Sequence, residues 1–203
     1  MYLTRIDLNR LDKGVHYALS DCQRMHRMVM GLFGQSRQEA ECLYRLRTEG
    51  TEVSLYLYSH SPVLREKLLP SMRLAGERDV SAWLDQMREG QAFRFDLLAM
   101  PSQKIAMKGN KNSRRTTLRT EQERLSWLQR KGEQNGFVLL SAQEREPVRL
   151  AGQHSAENGG RMYWGAYHYT GALQITDSRL FRQAVSQGVG PGKAYGLGML
   201  LLM

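Results

Sequence analysis

The chain has 203 residues, a formal net charge of +9, 41% hydrophobic residues and 24% charged ones. That composition excludes wholesale disorder, and the length fits one larger domain or two small ones. No apolar run approaches the ~18 residues of a membrane span, and two cysteines, Cys22 and Cys42, cannot build a disulfide framework or a metal cage. The N-terminus carries charges at strand spacing and lacks an apolar signal core, so a reducing, cytoplasmic setting with no membrane is the expectation.

Residues 1–8 alternate Tyr2, Thr4, Ile6 and Leu8 against Leu3, Arg5 and Asp7, which predicts a first strand. From Leu11 the period changes. Val15, Ala18, Leu19, Cys22, Met25, Val29 and Leu32 recur every three or four residues, which predicts one amphipathic helix ending near Gly31–Gly34. Residues 42–47 and 52–59 then alternate, joined by Glu49-Gly50 as a hairpin turn. Ser61-Pro62 offers a helix start, with the helix running to about Leu69. Residues 70–90 fit either strand or helix, and Phe93, Phe95 and Leu97 form a clearer strand.

The second half repeats the rhythm. Thr120-Glu121-Gln122-Glu123 reads as a capping box for a helix to about Gln134, with Gly136 after its end. Residues 137–142 and 163–175 are rich in strand formers, and the polar stretch 144–161 between them reads as a loop. Asp177 caps a helix closed by Gly188, and residues 195–202 form a last strand. Strands interleaved with helices in this order suggest split βαβ units, two of them, near 100 residues each. The fold class is α+β, with an N-terminal unit over 1–90 and a C-terminal unit over 91–203.

The charge is concentrated. Lys104, Lys108, Lys111, Arg114, Arg115 and Arg119 place +6 in residues 101–119 with no acid, leaving +3 for the rest of the chain. With Gly109, Asn110, Asn112 and Ser113, the stretch reads as a basic, mobile loop. Such a loop suits a polyphosphate backbone, because each neutralised phosphate releases counterions; a solvated loop without a partner is the alternative.

Residues 188–198 hold five glycines, Gly188, Gly190, Gly192, Gly196 and Gly198, around Lys193. A P-loop fails here, because position 187 is Gln and position 194 is Ala. A dinucleotide fingerprint fails too, because this loop follows a helix and opens a strand. Two readings stay open: an anion-compatible loop beside Lys193, or a helix cap and tight turn whose glycines allow close packing. Of the five histidines, none pairs at helical metal-site spacing with a carboxylate. His26 borders the apolar stripe of the first helix. There an imidazole can exchange protons near neutral pH, or it can simply mark the helix border.

Four stretches in order resemble the CasE-type CRISPR endoribonucleases of the RAMP superfamily, which process precursor guide RNA in type I-E systems. They are Met1-Tyr2-Leu3; Met25-His26-Arg27-Met28-Val29-Met30-Gly31-Leu32-Phe33, where the family's catalytic histidine precedes Leu-Phe; Phe95-Asp96-Leu97-Leu98-Ala99-Met100-Pro101 with the basic loop and Trp127-Leu128-Gln129-Arg130-Lys131; and Gly171-Ala172-Leu173 through the glycine run to Gly198. The match spans nearly the whole chain, and the terminal glycine signature is its most specific part.

The resemblance implies two ferredoxin-like (RRM-like) βαββαβ domains in tandem. It implies binding of the CRISPR repeat RNA hairpin, metal-independent cleavage without a cofactor, and residence in a type I-E surveillance complex with other subunits. His26 is the implied catalytic residue. Lys104, Lys108, Lys111, Arg114, Arg115, Arg119, Arg27 and Lys193 are the implied RNA contacts, and the glycine loop packs near the catalytic helix or touches the RNA. The chain departs from the family in one place: a tyrosine often stands three residues before the histidine, and here that position is Gln23, which could orient the imidazole or donate to a phosphate. Tyr17 is no substitute, since nine residues at ~100° each put it on the far side of a helix from His26. A non-catalytic RNA-binding scaffold of the same fold is the alternative function. A metal-dependent hydrolase is disfavoured because the sequence shows no ligand cluster.

Overall fold

A computed structural model describes residues 1–34, 41–105, 114–153 and 161–203. Strand β1 (Tyr2–Leu8) buries Thr4, Ile6 and Leu8 and leaves Arg5 in solvent, as its alternation requires. It pairs antiparallel with β3 (Glu52–Ser59) on one side and β4 (Met72–Asp79) on the other. Strand β2 (Leu43–Glu49) completes the sheet by pairing with β3, in the order β2-β3-β1-β4.

The second sheet repeats the pattern. It contains β5 (Ala92–Ala99), β8 (Phe137–Gln153), β9 (Arg161–Ile175) and β10 (Leu200–Leu202), in the order β10-β5-β9-β8. Every pairing in the two sheets is antiparallel, and each sheet places its first strand in an inner position. This is the ferredoxin-like topology, present twice. A two-stranded hairpin, β6 (Ser102–Ile105) with β7 (Arg114–Thr117), is inserted after β5. The basic stretch is therefore strand at both ends, where the sequence reads as loop.

The long first helix is two helices, α1 (Lys13–Leu19) and α2 (Cys22–Met30). The apolar period runs across the break, but Asp21 interrupts it. The Asp21 backbone is extended, and its carboxylate accepts from the N–H groups of Gln23 and Arg24 at 2.8 and 3.0 Å. An internal aspartate that can cap competes with helix continuation. The helix expected from Ser61 to Leu69 shrinks to a 3-10 turn at Arg65–Lys67. Nearby N–H groups are used elsewhere: Val63 donates to Glu77 Oε2 and Leu64 to the Leu32 carbonyl, both at 3.0 Å. Residues 70–90 contain β4 and the short helix α3 (Ser81–Asp85).

Helix α4 (Glu121–Gln134) begins at the expected capping box, with both reciprocal bonds formed between Thr120 and Glu123. The expected loop over 144–161 is largely strand, because β8 and β9 run together out to Gln153 and Arg161. Charges and Pro147 disguise the alternation, and the register shifts between Glu144 and Pro147, where a proline is tolerated. Helix α5 (Ser178–Gln187) is capped by Asp177 and ends at Gly188. The expected last strand shortens to β10, because residues 193–195 form a second 3-10 turn.

Two cores lie under the sheets. One joins α1, α2 and the first sheet around Ile6, Met25, Val29 and Leu57. The other gathers Phe95, Leu97, Trp127, Phe137, Tyr169 and Phe181, and it also takes in Leu43 and Tyr58 from the first sheet. A buried ion pair links the same two regions: Arg45 Nη2 on β2 lies 3.0 Å from Asp96 Oδ1 on β5. His168 Nε2 meets Asp96 Oδ2 at 2.7 Å. Burial pulls the Arg45 guanidinium below its ordinary value. Burial works against the Asp96 carboxylate too, but the bond to His168 and the charge of Arg45 hold it below the usual carboxylate range. No described helix is long and apolar enough to cross a membrane.

Candidate active site

Helix α2 buries Cys22, Met25 and Val29, which leaves Gln23 and His26, one turn apart, at its border. They face the 3-10 turn Lys193–Tyr195. The Tyr195 ring lies 6.3 Å from the His26 ring at 73°, an edge-to-face contact. Gln23 Nε2 donates to Tyr195 Oη at 3.2 Å. Gln23 thus reaches a phenol contributed from 172 positions further along the chain. Tyr17 sits apart on α1, with the Arg24 guanidinium 3.6 Å over its ring.

All five glycines of the loop have φ between 78 and 83°. The reason is clearest at two of them. A Cβ on Gly196 would come within 2.8 Å of Tyr44 Cε2, and one on Gly198 within 2.6 Å of the Val189 carbonyl oxygen. Val189 N–H donates to the Gly198 carbonyl and Gly198 N–H to that of Leu98. Those amides serve the fold, so at these positions the turn-and-packing reading holds.

Beside this loop lies an open cleft of about 520 Å³ where Lys104, Arg115, Lys131 and Lys193 converge, with Trp127 and Ser102 in its wall. Among the described residues, no acid lines it. Lys104 and Arg115 come from facing hairpin strands, paired by register, and Arg115 Nη1 donates to Ser102 Oγ at 3.0 Å. Lys193 is half-buried, and its burial and the neighbouring Lys131 charge lower its pKa. Cations brought together without a compensating acid make a site prepared for an anion.

The other expected cations lie away from this cleft or outside the described residues. Arg27 opens onto a different, more apolar groove with Tyr17, Arg24, Met28 and Leu69. Arg119 is exposed at the start of α4, where its N–H donates to Glu123. The Arg114 backbone pairs with Ile105 in the hairpin, while Lys108 and Lys111 fall outside the described residues. The sequence reading missed Lys131 and Tyr195. Lys131 had a signal, since it follows Trp127 by four residues on a helix and so shares its face. Tyr195 had none, because only the fold brings it to His26. Among the described residues, no three His, Cys, Asp or Glu side chains gather as a metal site.

A family model described as CRISPR associated protein matches residues 1–203. The chain belongs to that family. It is 28% identical, over 98% of both chains, to the CRISPR-associated endoribonuclease Cse3 of Thermus thermophilus. It is 29% identical to the Cascade subunit CasE of Escherichia coli over 58% of this chain and 60% of that one. A solved structure of Cse3 bound to a 19-nucleotide RNA superposes with a TM-score of 0.85 at 25% identity, covering both chains completely. The Cas6e structure from Escherichia coli shares the fold, with a TM-score of 0.71 at 23% identity over 100% of this chain and 98% of that one. The CasE-type CRISPR-associated family, with its tandem ferredoxin-like fold, is therefore where this chain belongs.

Proposed function

We propose that this CRISPR-associated protein is an endoribonuclease that binds the hairpin of a CRISPR repeat and cuts precursor guide RNA. The full-length likeness to an endoribonuclease solved with bound RNA supports this reading. The observation that carries it within the chain is His26, held on a capped helix beside a tyrosine and next to a turn that carries Lys193 into the cationic cleft.

The RNA 2′-hydroxyl attacks its own phosphorus and the P–O5′ bond breaks. The products are a 2′,3′-cyclic phosphate and a 5′-hydroxyl. His26 takes the proton from the nucleophile or gives one to the leaving oxygen, a role typically worth ~10²–10⁴-fold. Cations of the cleft offset the charge that builds on the phosphorane. The hairpin cations Lys104 and Arg115 follow the phosphate backbone of the stem, because A-form RNA is read mainly by shape and phosphate. In this division, residues 1–90 supply the catalytic helix and residues 91–203 supply most of the RNA grip. The protein stays on its product and joins a type I-E surveillance complex in the cytoplasm.

The test is incubation with repeat RNA in EDTA. A cyclic-phosphate product, lost in His26→Ala while RNA binding remains, is the expected result. Binding without product in the wild type would leave a non-catalytic scaffold. Activity abolished by EDTA would point to metal-dependent hydrolysis. A 2′-deoxy substitution at the scissile nucleotide should block cleavage.

A further inference from the structure

We propose that Tyr195 is the positioning residue for His26, and that Gln23 acts on Tyr195 rather than on the RNA. This rests on the reading of His26 as the proton-transfer group.

The turn that carries Tyr195 is fixed from three sides. Gly192 and Gly196 bracket it, both in left-handed conformation, and Tyr195 N–H donates to the Gly192 carbonyl at 2.8 Å. Gly196 sits directly on the ring of Tyr44, a β2 residue only 2% exposed, so the turn has no room to slide toward the sheet. On the third side, Gln23 Nε2 ties the phenolic oxygen to α2. The Asp21 cap and the buried Cys22 and Met25 in turn fix where Gln23 starts. The phenol ring is thereby held edge-to-face against the imidazole, 6.3 Å between centroids.

An imidazole that moves a proton must lie within hydrogen-bond reach of the reacting oxygen. A displacement of ~1 Å can cost ~10²-fold in rate. The Gln23–Tyr195 bond clasps the glycine turn to the catalytic helix, and the Tyr195 ring sets the plane of His26. Neither side chain touches a reacting atom in this assignment. The inference also gives Gln23 a definite task where the family often has a tyrosine: the phenol comes from the turn, and the amide holds it.

Single-turnover cleavage of a CRISPR repeat hairpin from the same genome, with protein in excess, tests this. Tyr195→Phe and Gln23→Ala each remove the same hydrogen bond. Each should slow cleavage about tenfold while the RNA Kd stays within about twofold. The double variant should be no slower than either single one, because two cuts of one bond do not add. Tyr195→Ala, which also removes the ring, should lose about 10²-fold. A wild-type rate in Tyr195→Phe overturns the assignment. So does a double variant whose loss is the product of the single losses, or a rate loss matched by an equal loss of affinity. Wild type and His26→Ala are measured alongside. If the wild type does not cleave, or His26→Ala cleaves normally, the underlying reading of His26 fails instead.

Discussion

The two ferredoxin-like units share a topology but not a build. The first has lost its second helix: only a 3-10 turn at Arg65–Lys67 connects β3 to β4. The second keeps both helices, α4 and α5, and adds the hairpin β6–β7 and two long strands. The candidate chemistry lies on the first unit, at His26. The cations that converge on the cleft, Lys104, Arg115, Lys131 and Lys193, all come from the second. One topology can thus be thinned where it carries a single catalytic helix, and extended where it must grip a long polyanion. If labour is divided this way, substitutions should separate rate from affinity.

The largest separation is expected at His26. His26→Ala should lower the single-turnover cleavage rate by ~10²–10⁴-fold with RNA affinity essentially retained. A comparable fall in affinity, read by filter binding, would break the division. Next in size is the joint between the units. Arg45→Met leaves Asp96 buried without its guanidinium, and breaking such a pair costs about 3–5 kcal/mol. Urea unfolding should show that loss, and cleavage and binding should fall together as the units lose their alignment. The pH dependence has a definite sign. The Asp96 carboxyl is lowered in the folded state, so its contribution is present above the ordinary carboxylate range. It disappears as pH falls through the lowered value. Wild-type stability should therefore drop below about pH 4, and Asp96→Asn should flatten that drop.

How much of this was legible in the sequence depended on how local the signal was. The capping box at Thr120 and the cap at Asp177 were legible because their hydrogen bonds close within four residues. The doubled βαββαβ order was legible because period changes mark strand and helix wherever one face is buried. The break at Asp21 was not, since the apolar stripe continues through it and only the backbone turns aside. Strands β8 and β9 are longer than their pattern suggests because their outer halves carry charge, and part of that charge is used internally: Glu144 accepts Arg124 in a buried fork and the Tyr169 hydroxyl. At the site, His26, Gln23 and Lys193 came from the family likeness. Tyr195 came only from the fold, because no spacing links position 195 to position 26.

The hairpin tests the other half of the division. Lys104→Ala with Arg115→Ala should weaken RNA binding, and the slope of log affinity against log salt should fall by about 2, one for each phosphate no longer neutralised. The rate at saturating protein should change little. An unchanged salt slope would mean these side chains neutralise no phosphate, and the cleft would then have to act through Lys131 and Lys193 alone.

The smallest expected effect asks whether helix α4 merely carries Lys131 or also steadies the cleft. Thr120→Ala removes one bond of the capping box and should cost about 1 kcal/mol of stability, read as a lower urea midpoint. Trp127 and Lys131 lie about two and three turns beyond that cap, and the Trp127 ring abuts Gly190 in the glycine loop. Fraying confined to the first turn would leave them in place, so RNA affinity should hold. If affinity falls instead, disorder at the cap has reached the cleft. In that case the second unit's grip depends on the whole helix, and the first unit's catalytic turn, which shares the glycine loop with it, should lose cleavage rate in the same variant.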